Sequence, residues 1–425
     1  MSNSIDSTVA APFKAAPMPE TINHTPWPSQ NFQHVDPQGD VYHVVVTRVS
    51  YSLSGMAYDG DALPQPTLLP PAQQGELITC DQYQGRINCT SVVQESDFAP
   101  YKPLCDVILA NAVAYTPNGQ PAERWSIGFR LGDALIKRLQ VTGPRSYKRG
   151  ALGGWQLSEP APTLSVPLCY ELAFGGPNVV PAHDLALSEE EDAKLPAYYE
   201  PNPIGCGRLG GKDTKNWIHA QCERFESNKK ANDTAIGDLL EYNLDAQGHY
   251  RAPQIEEFER PFQAGEHDYP IVGVGALSRW WLPRRNHAGT HDEKWKQTQW
   301  PKSPKDHDYR YWNCAPEDQQ IAYPQGGEEI ALAGLTPHHA PNGGPGRFIV
   351  PSENLQTLVR LHAGPMLMMP MQMDTIIIDF AKSTLSTVCR VLIPADLDVR
   401  KLEIGTWDDE PNALALQGAS LASSH

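Results

Sequence analysis

The run VYHVVVTRVSYSL, Val41 to Leu53, decides the fold class of this chain. Its β-branched and aromatic side chains favour extended backbone, and its apolar residues recur at a period of two. That pattern predicts a long strand, partly buried on both faces. Moving outward, the same signal returns in DVILANAVAY (Asp106–Tyr115), RWSIGFRL (Arg124–Leu131) and LIKRLQV (Leu135–Val141). Pro117-Asn118-Gly119 and Gly132-Asp133 punctuate these runs, and the Gly-Asp pair predicts a tight hairpin between the last two. Thr163–Phe174 reads as a further strand ending at Gly175-Gly176. From about Phe348 the strands resume: Asp374–Lys382 and Thr387–Pro394, joined by a turn at Ser383–Ser386, then Leu402–Trp407.

Between these runs the central section is rich in loops. Ser188–Glu191 reads as a capping box opening an acidic helix that Pro196 must end, and Asn232–Tyr242 is a second helical candidate. The 39 prolines in 425 residues, roughly 9% against about 5% on average, argue against long helical bundles. The expected class is mainly β with short helices, a β-rich α+β chain of antiparallel, sandwich-like sheets. The expected layout is a flexible N-terminal arm at 1–38, a β-rich domain at 39–350, a C-terminal β extension at 351–410 and a disordered tail at 411–425.

Composition narrows the function. The hydrophobic share of 40% and charged share of 20% suit a folded chain. No apolar run approaches the ~20 residues of a membrane-spanning helix, and MSNSIDSTVAAPFKAAPMPE has no secretory pattern, so a cytoplasmic location without membrane contact is expected. A net charge of -16 disfavours nucleic acid as a partner. The eight cysteines are scattered with no C-x-x-C pair, which predicts free buried thiols and no zinc.

Motifs with chemistry are few. Gly205-Cys-Gly207-Arg-Leu-Gly210 matches G-x-G-x-x-G, but neither a strand before it nor an amphipathic helix after it is read, so a glycine-rich turn is expected. H-E-x-x-H and G-x-S-x-G do not occur. The densest polar stretch is GTHDEKWKQTQWPKSPKDHDYRYWNCAPEDQQ, Gly289–Gln320. His287, His291 and Asp308 would suit a metal-dependent hydrolase. Capping competes for the same side chains. Thr290 with Glu293, Ser303 with Pro304 and Asp306, and Ala315-Pro316-Glu317-Asp318 all read as helix starts. No catalytic, metal or cofactor residue is therefore assigned, and no cofactor is expected.

What remains in that region is aromatic and basic. Five of ten tryptophans lie between 280 and 312, and Arg279–Arg310 holds eight Lys or Arg against four Asp or Glu, a local +4. Such residues anchor interfaces or fill a core. Trp280, Trp281, Arg284, Arg285 and Trp295 are candidate partner contacts. So are Met366, Met368, Met369, Met371 and Met373, five of the eight methionines, whose flexible side chains adapt to irregular apolar partners or fill core gaps.

Taken in order, DVIL (Asp106–Leu109), QVTGPR (Gln140–Arg145), YELAFGG (Tyr170–Gly176), NPIGCG (Asn202–Gly207), GTHDEKW (Gly289–Trp295) and DHDYRYWNCAPEDQQ (Asp306–Gln320) resemble the DUF2169 family over roughly 35–350. The resemblance implies a non-catalytic cytoplasmic adaptor or chaperone of type VI secretion. Such a protein binds a secreted toxin effector and aids its loading on the VgrG/PAAR spike. It implies no cofactor and no catalytic residues. A structural spike or baseplate component is the other reading of the same resemblance.

Overall fold

The structure, a computed structural model, describes residues 16–407 apart from 54–55, 58–62, 151–153, 180–196, 232–242 and 338–344, together with 413–416, 418 and 420–421. The strand Val41–Ser52 lies where its sequence places it. Positions 43–51 are buried throughout, and the two faces enter different clusters. Val45, Val49 and Tyr51 join the main core, while Val46 packs with Val92, Ile108 and Ile377, and Val44 with Tyr101, Tyr309 and Leu392.

This strand belongs to a seven-stranded mixed sheet ordered Gln320–Ile321, Cys105–Ala110, Gln372–Asp379, Thr384–Pro394, Val41–Ser52 and Ser29–Val35, with Thr67–Leu68 appended to Val41–Ser52. Thr384–Pro394 pairs antiparallel with Val41–Ser52 along its whole length, and Gln372–Asp379 runs parallel to Cys105–Ala110. An antiparallel five-stranded sheet runs Ile255–Glu257, Leu135–Thr142, Arg124–Leu131, Glu329–Ala333, Gly346–Ile349. A second one runs Glu20–Asn23, Val399–Gly405, Gln356–Leu361, Met366–Pro370, Ala413–Ala415, with parallel pairs at both edges. Residues of all three sheets share one core, so the class is β-rich α+β as expected.

Several elements differ from expectation for local reasons. Asp106–Tyr115 is two strands, Cys105–Ala110 and Val113–Tyr115, because Asn111 adopts φ 54° and its amide bonds Asp379 Oδ1 at 3.0 Å. Thr163–Phe174 breaks into Ser165–Pro167, a 3-10 turn at Tyr170–Leu172 and Phe174–Gly175. The turn before Thr384–Pro394 falls earlier than expected and places Ser383 at φ 51°. A 20-residue helix, Lys212–Ala231, follows Gly210 where no helix is expected. The helices expected at 188–196 and 232–242 lie outside the described residues.

The expected divisions of the chain also change meaning. Within 1–38, Glu20–Asn23 and Ser29–Val35 are strands of two sheets. The 351–410 section supplies Gln372–Asp379 and Thr384–Pro394, two central strands of the large sheet. Within 411–425, Ala413–Ala415 pairs with Met366–Met368, and Ser420 bonds the Tyr101 hydroxyl at 2.9 Å. No described helix is long and apolar enough to cross a membrane.

Candidate functional site

Asp106 starts from an unfavourable position: a carboxylate on a fully buried central strand needs partners for its charge. It has four. Lys102 Nζ donates at 2.8 Å, Asn313 Nδ2 at 3.1 Å, and the Cys314 and Ala315 amides at 2.9 and 3.1 Å. Burial works to raise its pKa, but Lys102 and the two amides outweigh burial and hold the group below its ordinary value. Gln319 continues the stitch, donating to Val107 O at 2.7 Å and Val274 O at 3.0 Å while accepting from Lys137 Nζ at 2.7 Å. Asn313–Gln319 is thereby sewn onto the strand that begins the DVIL run.

A second clasp holds the other side of the region. Buried Arg284 bonds buried Glu95 and donates to Leu277 O at 2.8 Å and to Tyr311 O at 2.7 Å. Arg279 adds a 3.1 Å bond to the same carboxylate. Trp281 is buried edge-on against Tyr170, centroids 5.2 Å apart. The remaining motifs interlock likewise. Asn202 Nδ2 donates to Tyr170 O and Phe174 O, both at 3.0 Å, Glu171 accepts from the Ser91 amide at 2.8 Å, and Arg145 pairs with buried Glu256. In Gly205–Gly210, a Cβ on Gly207 (φ 89°) would meet Pro253 Cδ at 2.3 Å, so close packing requires that glycine.

The histidines and acids of 287–308 are engaged in local structural contacts. His287 Nδ1 faces Asp308 Oδ2 at 3.3 Å, and Asp308 also caps the turn Tyr309–Trp312 by accepting from the Arg310 amide at 2.9 Å. His291 lies edge-on to Trp295, and His307 Nδ1 pairs with Ala288 O at 3.0 Å. The helix Glu293–Thr298 is capped by Asp292, which accepts from the Trp295 amide at 2.7 Å, and not by Thr290. Thr290 instead takes both oxygens of Asp306, at 3.0 and 2.7 Å. Ser303 therefore starts no helix and bonds Val35 O at 3.3 Å, whereas Glu317–Gln319 does form a 3-10 turn. Among the described residues, no group of three or more His, Cys, Asp or Glu is placed to hold a metal ion.

The candidate partner contacts separate by burial. Trp281 and Arg284 are interior, with Met369, Met371 and Met373 in the main core. Trp280, Trp295, Met366 and Met368 are half-buried; Trp295 Nε1 donates to Lys302 O at 3.0 Å. Arg285 is exposed and pairs with Glu200 at 2.6 Å. The exposed tryptophan of the region is Trp300, at 65%. A cavity of about 300 Å³ lies between Lys102, Tyr323, Asp374, Arg390 and Ser420. Its charges are matched internally, Lys102 with Asp106 and Arg390 with Asp374.

An open groove of about 810 Å³ lies beside the strand Leu135–Thr142. One edge of that strand pairs fully with Arg124–Leu131, but on the other edge Ile255–Glu257 covers only Leu139–Val141. The Thr142 amide reaches Gln254 O on that outer side at 2.8 Å, so the even-numbered residues point their backbone groups outward. Among the described residues, no strand pairs with Ile136 and Arg138 there. Ile136 is 70% exposed, half-buried Phe258 and Ile271 line the groove, and Glu257, Glu259 and Glu317 are exposed along it. The sequence holds one sign of this: in LIKRL the buried position is Lys137 and the exposed one Ile136, the reverse of an ordinary solvent-facing strand.

The family model named DUF2169, "Uncharacterized protein conserved in bacteria", matches residues 38–220 and 221–390. No curated protein and no solved structure matches the chain.

Proposed function

This chain belongs to the DUF2169 family, and from that premise we propose that it is a non-catalytic adaptor or chaperone. It binds a type VI secretion toxin effector and aids its loading on the VgrG/PAAR spike. The observation that carries the binding part is the half-unpaired strand edge at Leu135–Arg138, opening on a groove with exposed apolar residues. Unpaired strand edges next to side-chain pockets are the surfaces on which proteins accept extended partner segments.

The hydrolase alternative is less well supported. His287 pairs with Asp308, which also caps the turn Tyr309–Trp312, while His291 packs on Trp295, so the three do not converge on one point. The test is affinity purification of the tagged protein from its own host, followed by mass spectrometry. One large partner encoded beside a spike gene is expected, and its level should fall in cells lacking this protein. Recovery of the protein alone, or its export with the spike, overturns the adaptor reading.

A further inference from the structure

We propose that the groove beside Leu135–Arg138 takes an extended peptide segment that alternates apolar and cationic residues, bound as an added strand. The inference rests on the adaptor reading for its biological setting, but its physical basis is separate. The outward backbone groups of Ile136 and Arg138 face no strand among the described residues, although the strand itself is held on its other edge by Arg124–Leu131. An incoming strand gains main-chain hydrogen bonds there without disturbing the sheet.

Side-chain chemistry selects the occupant. Ile136, Phe258 and Ile271 offer apolar contact along the groove. The charges facing the groove are unequal. Lys137 is already spent on Asp318 and Gln319, each at 2.7 Å, and the Arg138 guanidinium lies 3.6 Å from the Phe258 ring centre. Glu257, Glu259 and Glu317 remain exposed around it. A segment carrying Lys or Arg on its other face neutralises them, and the net charge of -16 adds long-range attraction. The chain's own residues 1–15 fit poorly, since Lys14 is their one basic side chain.

The probe is a fluorescein-labelled peptide of alternating Val and Lys, titrated by anisotropy, with alternating Val and Glu as control. Binding by the Val-Lys peptide alone, weakening as salt rises, is expected. Ile136→Pro removes one outward N–H and leaves the opposite ladder intact, so it should weaken binding about tenfold with an unchanged melting temperature. The triple change Glu257→Gln, Glu259→Gln, Glu317→Gln should weaken it comparably and reduce the salt dependence, which keeps the test decisive if the proline variant does not fold. Equal binding of the two peptides, full affinity in the triple variant, or a concentration-dependent dimer that the triple change leaves intact and the peptide cannot dissociate overturns the proposal. In the host pull-down, loss of the partner from the triple variant supports it. A partner retained by that variant sinks the groove while leaving the adaptor reading standing, and a wild-type protein that binds the peptide but captures no partner sinks only the adaptor reading.

Discussion

Asp106 is a buried charge held by several partners, since four donors from 102 and 313–315 converge on its carboxylate. Asp106→Asn leaves the Lys102 ammonium buried without its counter-ion, and removing one partner of such a pair costs about 3–5 kcal/mol. A lower urea midpoint measures the loss. Adding Lys102→Met should recover part of it by removing the orphaned cation; a double variant weaker than the single one would contradict this account. His34 predicts a pH effect. Burial, with His307 nearby, lowers its pKa from 6.5 to about 4 against the pull of Asp36, while its Nε2 lies 2.7 Å from the Tyr309 hydroxyl. The folded-state value is depressed, so the unfolded chain takes up the proton first. Stability is therefore full above pH 6.5 and falls as pH drops toward 4, by on the order of 2 kcal/mol at pH 4.5. The measurement is the difference in urea midpoint between pH 7 and 4.5. His34→Gln should shrink it, and an identical difference in both proteins would rule His34 out as its source. Single residues were only partly legible. Asp292, not Thr290, caps the helix, and the rival bond from Thr290 to Asp306 spans 16 residues, beyond the reach of a local pattern.

At the scale of elements, strands announced by strict alternation were read to within a residue, as Arg124–Leu131 with its hairpin partner shows. The methionine run was ambiguous because it has no polar alternate. Its strand, Met366–Pro370, sits between Gln356–Leu361 and Ala413–Ala415, with Leu367 and Met369 buried and Met366, Met368 and Pro370 half-buried. Met371 and Met373 then continue the buried set into the next strand. Met369→Ala and Met373→Ala should each cost about 2–5 kcal/mol by opening core cavities, whereas Met368→Ala should cost under about 1 kcal/mol. Thermal denaturation of the three variants checks this, and equal losses would mean that burial does not rank them. The helix Lys212–Ala231 went unread because its core contact is thin: Ile218 is buried, while Trp217, Cys222 and Phe225 only pack partly against the core. That helical spacing is the signal that was available. A Gly-x-Gly-x-x-Gly run ahead of a helix still does not make a nucleotide site here, since Gly207 is filled against Pro253.

At the scale of the molecule, periodicity identified the strands but not which of them are neighbours. A boundary at 350 looks natural in the sequence because the final strands form their own short-range hairpin, Gln372–Asp379 with Thr384–Pro394. In the fold that hairpin inserts between Cys105–Ala110 and Val41–Ser52, joining strands from the early part of the chain through partners near its end. A chain ending at residue 350 would lose both central strands and expose the edges of two others, each buried along most of its length. The pairings that Cys105–Ala110 and Val41–Ser52 would lose are non-local, so nothing nearby in sequence can substitute for them. Residues 1–350 alone should therefore show no cooperative urea transition and should aggregate, whereas the chain ending at residue 407 should unfold cooperatively. Circular dichroism against urea, with light scattering, distinguishes the two. A cooperative transition for residues 1–350 would make the C-terminal strands a true extension and refute the central role assigned to them. The same topology ties the proposed binding edge to the far end of the chain, because the sheet holding Leu135–Thr142 shares its core with Ile376, Ile378 and Leu385. Loss of peptide binding in the 1–350 chain should then accompany loss of fold, and peptide binding in an unfolded 1–350 chain would show that the peptide does not read the strand edge.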